Sequence, residues 1–212
     1  MEDVEDENAE LYLVGRNQQR LSEVEQDAKA FGNAAVHSIL GDLTDKKTVD
    51  QVAEKAKIVD ILVNNAGTLD KESILEGDPE RWQRLIALDL LAPMRLTNRL
   101  APHMAKKGYG NIINISSVAG KEPMKGFAAY AAAKFGLTGW SLSAFEELRD
   151  YGICVSAIFP GYVATEMTED SGLPKDKMIR PEDIAEAALL PFRMSERAVP
   201  TEIVVRPSHK LS

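Results

Sequence analysis

Residues 59–67 read Val-Asp-Ile-Leu-Val-Asn-Asn-Ala-Gly, a short apolar run that stops abruptly in Asn64-Asn65-Ala66-Gly67. A run of that length, rich in aliphatic side chains and closed by turn formers, fits a strand buried on both faces. The same unit recurs along the chain. Upstream, Leu11 to Gly15 and Ala34 to Leu40 read as strands. Between them lies a helix that Asn17 can cap and Gly32 can end, with Leu21, Val24 and Ala28 on its apolar side. Asp45 or Thr48 can cap the next helix, which carries Val49, Val52, Ala53 and Ala56 on one face. Downstream, a long amphipathic helix is expected from Pro79 towards His103, with Trp82, Leu85, Ile86, Leu90 and Leu96 as its stripe. Pro93 inside that stripe predicts a kink or break. A strand at Ile112 to Ile115, an Ala-rich helix over 127–148, and a strand at Ile153 to Phe159 follow. A helix from Pro181 to about Leu190 and a last strand at Glu202 to Val205 end the pattern. Apolar strands alternating with helices predict an α/β fold with a doubly wound parallel sheet.

The chain has 212 residues and a formal net charge of −8, and six of those negative charges fall within residues 1–10. This acidic leader is expected to be disordered, with one domain over 11–212. The nearly neutral remainder has no basic block, which argues against a nucleic-acid partner. No apolar run reaches the ~18 residues of a membrane span, and the leader is neither a signal nor a transit peptide. A single cysteine, Cys154, allows no intrachain disulfide and favours a cytoplasmic setting. His37, His103 and His209 are too scattered for a metal site.

Four polar signals sit at strand ends, the edge where open α/β sheets bind ligands. They are Gly41-Asp42-Leu43-Thr44, Asn64 to Gly67, Ser116-Ser117 with Tyr130 and Lys134 beyond, and Pro160-Gly161-Tyr162-Val163-Ala164-Thr165. Tyr130 and Lys134 are four apart, so a helix places them on one face. A phenol ordinarily titrates near ~10, and an ammonium beside one favours its phenolate. Making a phenol useful near neutral pH takes ~3 units, or about 4 kcal/mol. Ser117 could then donate to a carbonyl oxygen gaining negative charge. Chance alone gives ~0.3 Tyr-x-x-x-Lys matches in this composition but only ~0.002 of Asn-Asn-Ala-Gly, so the second motif carries the weight.

Together these residues resemble the short-chain dehydrogenase/reductase family across about residues 11–206. The resemblance implies a Rossmann-like domain and hydride transfer between NADP(H), or NAD(H), and a small carbonyl or alcohol. It implies Tyr130 as catalytic acid/base, Lys134 as its modulator and a holder of the nicotinamide ribose, and Ser117 as the group polarising the carbonyl. Asp42 and Leu43 would contact adenine, and Asn65, Ala66 and Gly67 would line the cofactor groove, with Asn64 bracing the sheet. Pro160, Gly161, Val163 and Thr165 would hold the nicotinamide end. Arg16 stands where a guanidinium would pair with the 2′-phosphate of NADP, or is simply a solvated residue at a helix entry. A homodimer or homotetramer through the Ala-rich helix and the long helix before it is also implied. Residues 167–177 would form a flap over the substrate.

Two departures stand out. No Gly-x-x-x-Gly-x-Gly turn exists in the sequence, and a βα unit of about 25–30 residues preceding Leu11 is expected to be missing. The family's central strand would go with it, so the strand at 11–15 is expected to close directly onto that at 59–63, the alternative being a displaced N-terminal segment. This leaves open a catalytically impaired or non-catalytic subunit, from a truncated chain, that acts by helix-mediated assembly. The second departure is Asp89, which occupies the place of the family's active-site asparagine. It is expected either to support the centre, where its carboxylate could pair with Lys134 and weaken that residue's effect on Tyr130, or to be a polar residue buried between helices.

Overall fold

The computed structural model describes residues 9–32 and 35–210. The expected disorder of the acidic leader therefore falls, for residues 1–8, outside the described residues. The chain divides into two compact units, Met1–Lys57 and Ile58–Ser212.

The first unit is β1 (Glu10–Gly15), α1 (Gln18–Phe31), β2 (Ala35–Leu40) and α2 (Lys46–Lys55). β1 and β2 pair in parallel, with Gly15 opposite Leu40. The caps are those expected from the sequence: the Asn17 side chain accepts from the Arg20 N–H at 3.1 Å, and Asp45 accepts from the Lys47 N–H at 3.0 Å. Each satisfies one of the donors that the first helical turn leaves open. Leu21, Ile39, Val49, Val52 and Ala56 are the buried apolar residues of this unit.

The second unit holds β3 (Ile61–Asn64), α3 (Pro79–Ile86), α4 (Ala92–Lys107), β4 (Gly110–Ile115), α5 (Ala128–Leu148), β5 (Ile153–Pro160), α6 (Pro181–Arg193) and β6 (Glu202–Val205). Its four strands lie in the order β3-β4-β5-β6, all parallel. Ala101 and Met104 of α4 bury themselves on Ile112, Ile153 and Val155, and Ala144, Phe145 and Leu148 of α5 pack around that cluster. The fold is the expected α/β, Rossmann-like arrangement of parallel strands and crossover helices.

One expectation needs correction. The strand at 11–15 does not close onto the strand at 59–63: β1 pairs with β2 and β3 with β4, in separate sheets. A parallel strand is delivered to its neighbour by a crossover helix. Here each strand takes its partner within its own unit, β1 from β2 across α1 and β3 from β4 across α3 and α4. β3 is accordingly an edge strand of its sheet, with Ile61 and Val63 half exposed. The long helix is interrupted, as Pro93 predicts, in the turn just before that proline. Residues Ala87–Leu91 form one π-helical turn, closed by the Ala92 N–H bonding to the Ala87 carbonyl five residues back. Proline has no N–H to give the carbonyl four residues earlier, which is that of Asp89, so the wider turn forms there.

Candidate active site

Strands β3, β4 and β5 end together, and the segment beyond each is polar. Asn64, buried at the end of β3, donates from Nδ2 to Asn114 Oδ1 on β4 at 2.8 Å. Asn114 in turn donates to Ser141 Oγ on α5 at 2.9 Å, and Ser141 donates to the Leu137 carbonyl at 2.6 Å. This chain of side chains locks β3, β4 and α5 in one register, so the segments beyond the strand ends start from fixed points.

α5 carries Tyr130 and Lys134 in its first two turns. Five alanines between 128 and 133 give it high helix propensity and little side-chain bulk. The loop after β4 therefore approaches closely: a Cβ on Gly120 would lie 2.8 Å from the Lys134 carbonyl oxygen. Ser116 Oγ donates to that same carbonyl at 3.3 Å, and Thr138 Oγ1 does so at 2.8 Å. Ser117 sits at the start of this tight turn, its Oγ accepting from the Ala119 N–H at 3.1 Å. The hydroxyl proton of Ser117 is left for another acceptor.

Lys134 is 5% exposed, and its side chain runs along the site rather than out to water. Nζ donates to the Ile115 carbonyl at 3.1 Å and lies 5.6 Å from the centre of the Tyr130 ring. On its other side is Asp89, whose side chain is fully buried and whose Oδ2 is 3.1 Å from Nζ. That contact is an ion pair whose angles fall outside hydrogen-bond geometry. Oδ1 accepts from the Thr68 N–H at 2.8 Å, tying the residue after Gly67 to the π-turn. Burial pushes the Asp89 carboxyl above the ordinary range, and the nearby ammonium and the Thr68 N–H pull it back only in part. Gly67 packs closely here: a Cβ would lie 3.2 Å from Asp89 Oδ2 and would push the carboxylate aside by a few tenths of an ångström.

Ser117, Tyr130, Lys134 and Asp89 line one cavity of about 670 Å³ together with Asn65, Gly67, Pro160, Gly161, Val163 and Thr165. All belong to the second unit. Ala66 lies in the same segment, exposed, but does not line the cavity. Arg16, Asp42 and Leu43 belong to the first unit, just beyond the ends of β1 and β2. There the Thr44 N–H bonds to Asp42 Oδ1 at 2.8 Å, which with a smaller effect of Arg16 holds the Asp42 carboxyl below the usual range. Sequence reasoning missed Leu69, Met124 and Phe127, which also line the cavity, and gave no role to Tyr162, which lines it from within the Pro160 to Thr165 signal. Met124 and Phe127 lie in the loop that leads into α5, outside any helical period, and the fold alone packs them against the cluster containing Tyr130. Among the described residues, no group of three or more His, Cys, Asp or Glu could hold a metal ion, and no helix is long and apolar enough to cross a membrane.

A model of the family described as short chain dehydrogenase matches residues 2–176. The chain belongs to the short-chain dehydrogenase family. An uncharacterized oxidoreductase of Staphylococcus saprophyticus is 32% identical over 210 residues, which span 97% of this chain and 90% of that protein. A metagenomic short-chain oxidoreductase, solved in complex with NADP, superposes with a TM-score of 0.78 at 33% identity, covering 95% of this chain and 87% of its own. A short-chain dehydrogenase from Sphingobium yanoikuyae, solved with NADPH, gives 0.80 at 30% identity, covering 94% and 78%. As a short-chain dehydrogenase, the chain is an oxidoreductase by family.

Proposed function

We propose that this short-chain dehydrogenase moves a hydride between NADP(H) and a carbonyl/alcohol pair, with Tyr130, Lys134 and Ser117 as its catalytic residues. The observation that carries the reading is the convergence of these three side chains on one cavity at the C-terminal ends of β3 to β5, with an ammonium 5.6 Å from the phenol ring. The residues present fit a nicotinamide: the cavity is large enough, Ser117 keeps its hydroxyl proton, and Lys134 keeps a third proton beyond its contacts to Ile115 and Asp89. Bound nicotinamide supplies or accepts the hydride. Ser117 donates to the substrate oxygen as negative charge builds there. The Tyr130 hydroxyl gives that oxygen its proton in reduction and takes it back in oxidation. Lys134, beside the phenol ring, offers its remaining proton to a ribose hydroxyl. Asp89 acts as a positioning residue, holding the ammonium between itself and the Ile115 carbonyl. Asn65, Ala66, Gly67, Pro160, Gly161, Val163 and Thr165 are assigned to the nicotinamide end, and Asp42 and Leu43 to the adenine. Arg16, exposed after β1, is assigned to the 2′-phosphate, with the NADP and NADPH complexes of relatives as support.

The test is NADPH oxidation by the purified chain across ketones and aldehydes, with NADPH fluorescence as the binding readout. Turnover is expected, and Tyr130→Phe should lower kcat by about 10²–10⁴ while NADPH still binds. A folded protein that binds no NADPH and reduces nothing would refute the reading.

A second reading, assembly through helices, is favoured by α5, where Ala132, Phe135, Gly139 and Leu142 recur at helical spacing on an exposed face. Light scattering should then report a homodimer or homotetramer. The lone cysteine supports a cytoplasmic location.

A further inference from the structure

The charged side chains of the cavity wall are spent on one another. Among the described residues they are Lys134 and Asp89, paired at 3.1 Å. The buried hydroxyls nearby donate inward as well: Ser116 Oγ to the Lys134 carbonyl at 3.3 Å, and Thr168 Oγ1 to the Val163 carbonyl at 2.6 Å. Away from Lys134 and Ser117, one side of the wall near Tyr130 is apolar. Leu69, Met124 and Phe127 are partly buried and pack against the cluster that contains Tyr130, Leu85, Ala119 and Ala133. Met167, on the short helix between β5 and α6, adds a half-exposed thioether to the lining. A substrate arm beside Tyr130 therefore meets aliphatic, aromatic and thioether surface. A carboxylate or phosphate on that arm would lose its water, and the lining cation, Lys134, is already paired with Asp89 and assigned to the ribose.

We infer that the substrate reduced or oxidised at this site is an uncharged carbonyl/alcohol pair bearing an apolar alkyl or aryl arm, seated against Leu69, Met124 and Phe127. This rests on the oxidoreductase reading above and adds the substrate class. In the reductive direction the carbonyl π bond breaks, carbon gains the hydride and oxygen gains the Tyr130 proton, so the ketone is reduced as NADPH is oxidised. Arm chemistry enters through burial alone. Each methylene laid on the wall is expected to raise kcat/KM by about 4-fold until the wall is covered.

The experiment compares, in the purified chain with NADPH, methyl alkyl ketones of increasing length with matched keto acids ending in a carboxylate. Calorimetric binding of the corresponding secondary alcohols and hydroxy acids is measured alongside. The expected result is a kcat/KM that climbs with chain length and falls by roughly 50-fold or more on adding the carboxylate. Met124→Arg, on the loop before α5, should move the preference towards the keto acid by about 10-fold or more. Leu69→Arg should do the same if the first variant does not fold. A flat length series, or keto acids used as well as ketones, would overturn the inference while leaving the oxidoreductase reading intact. Absence of turnover with every carbonyl compound, with apolar alcohols still bound in preference to hydroxy acids, would refute hydride transfer and uphold the substrate class. Absence of both turnover and selective binding would overturn both.

Discussion

Replacing Asp89 by leucine leaves the Lys134 ammonium inside the protein with the Ile115 carbonyl as its remaining partner. It also strips the Thr68 N–H of its acceptor. Two unit charges 3.1 Å apart attract by about 5 kcal/mol at an effective dielectric of ~20. Desolvation of both groups offsets part of this, and losing one member of a buried pair costs about 3–5 kcal/mol in all. For a chain of this length that is a fall in Tm of about 6–20 °C. Lys134→Met should cost a similar amount by stranding the carboxylate. Because the two losses describe one interaction, the double variant should be more stable than their sum predicts by about 2–3 kcal/mol. Urea unfolding followed by tryptophan fluorescence is suited to the measurement, since Trp82 and Trp140 both lie in the second unit. Costs that add to within about 0.5 kcal/mol would show that the pair does not work as one and would refute the reasoning. The pH dependence carries its own sign. Burial raises the Asp89 carboxyl above its unfolded value of ~3.9, so the folded chain holds a proton that the unfolded chain releases. The stability this contributes is fully present below ~3.9 and is lost as pH rises through the folded value. The native protein's advantage over Asp89→Leu should therefore widen as pH falls from neutral towards 4. An advantage that narrows would mean that the ammonium outweighs burial.

Ser117→Ala should lower kcat about 10²-fold or more and leave NADPH binding unchanged, read by steady-state kinetics beside fluorescence titration; equal losses in both would make Ser117 structural. Gly152 adopts φ +72, and a Cβ there would fall 2.2 Å from the Gly108 carbonyl oxygen. Gly152→Ala should thus destabilise by about 2 kcal/mol or more in the same urea assay, whereas Gly172→Ala, with open space around it, should cost about 1 kcal/mol from its φ of +71 alone. Burial raises the Cys154 thiol, so little thiolate is present at neutral pH. Iodoacetamide should label it at least about 10-fold more slowly than a free small-molecule thiol at pH 7.5, gaining rate into the alkaline range; labelling at the free-thiol rate would contradict its burial.

Local chemistry sufficed for much of this protein. Asn17, Asp45 and Pro181 start helices because a first turn needs acceptors or tolerates a missing N–H, and those needs are met within a few residues. The apolar runs at 11–15, 59–63, 112–115 and 153–159 announce parallel strands, although only β4 and β5 are covered nearly throughout, while Leu11 of β1 and Ile61 and Val63 of β3 stay partly exposed. The spacing of Tyr130 and Lys134 already implied a shared helical face. What the sequence could not decide was which strands would meet, since pairing depends on crossovers between distant segments; hence the failed closure of β1 onto β3. Nor could it decide the role of Asp89. Only the π-turn before Pro93, the Thr68 N–H and the buried Lys134 side chain, brought together from separate segments, turn that aspartate into half of an ion pair. The apolar wall of Leu69, Met124 and Phe127 is of the same kind. Each is an ordinary apolar residue in its own segment, and tertiary packing alone sets them beside one phenol.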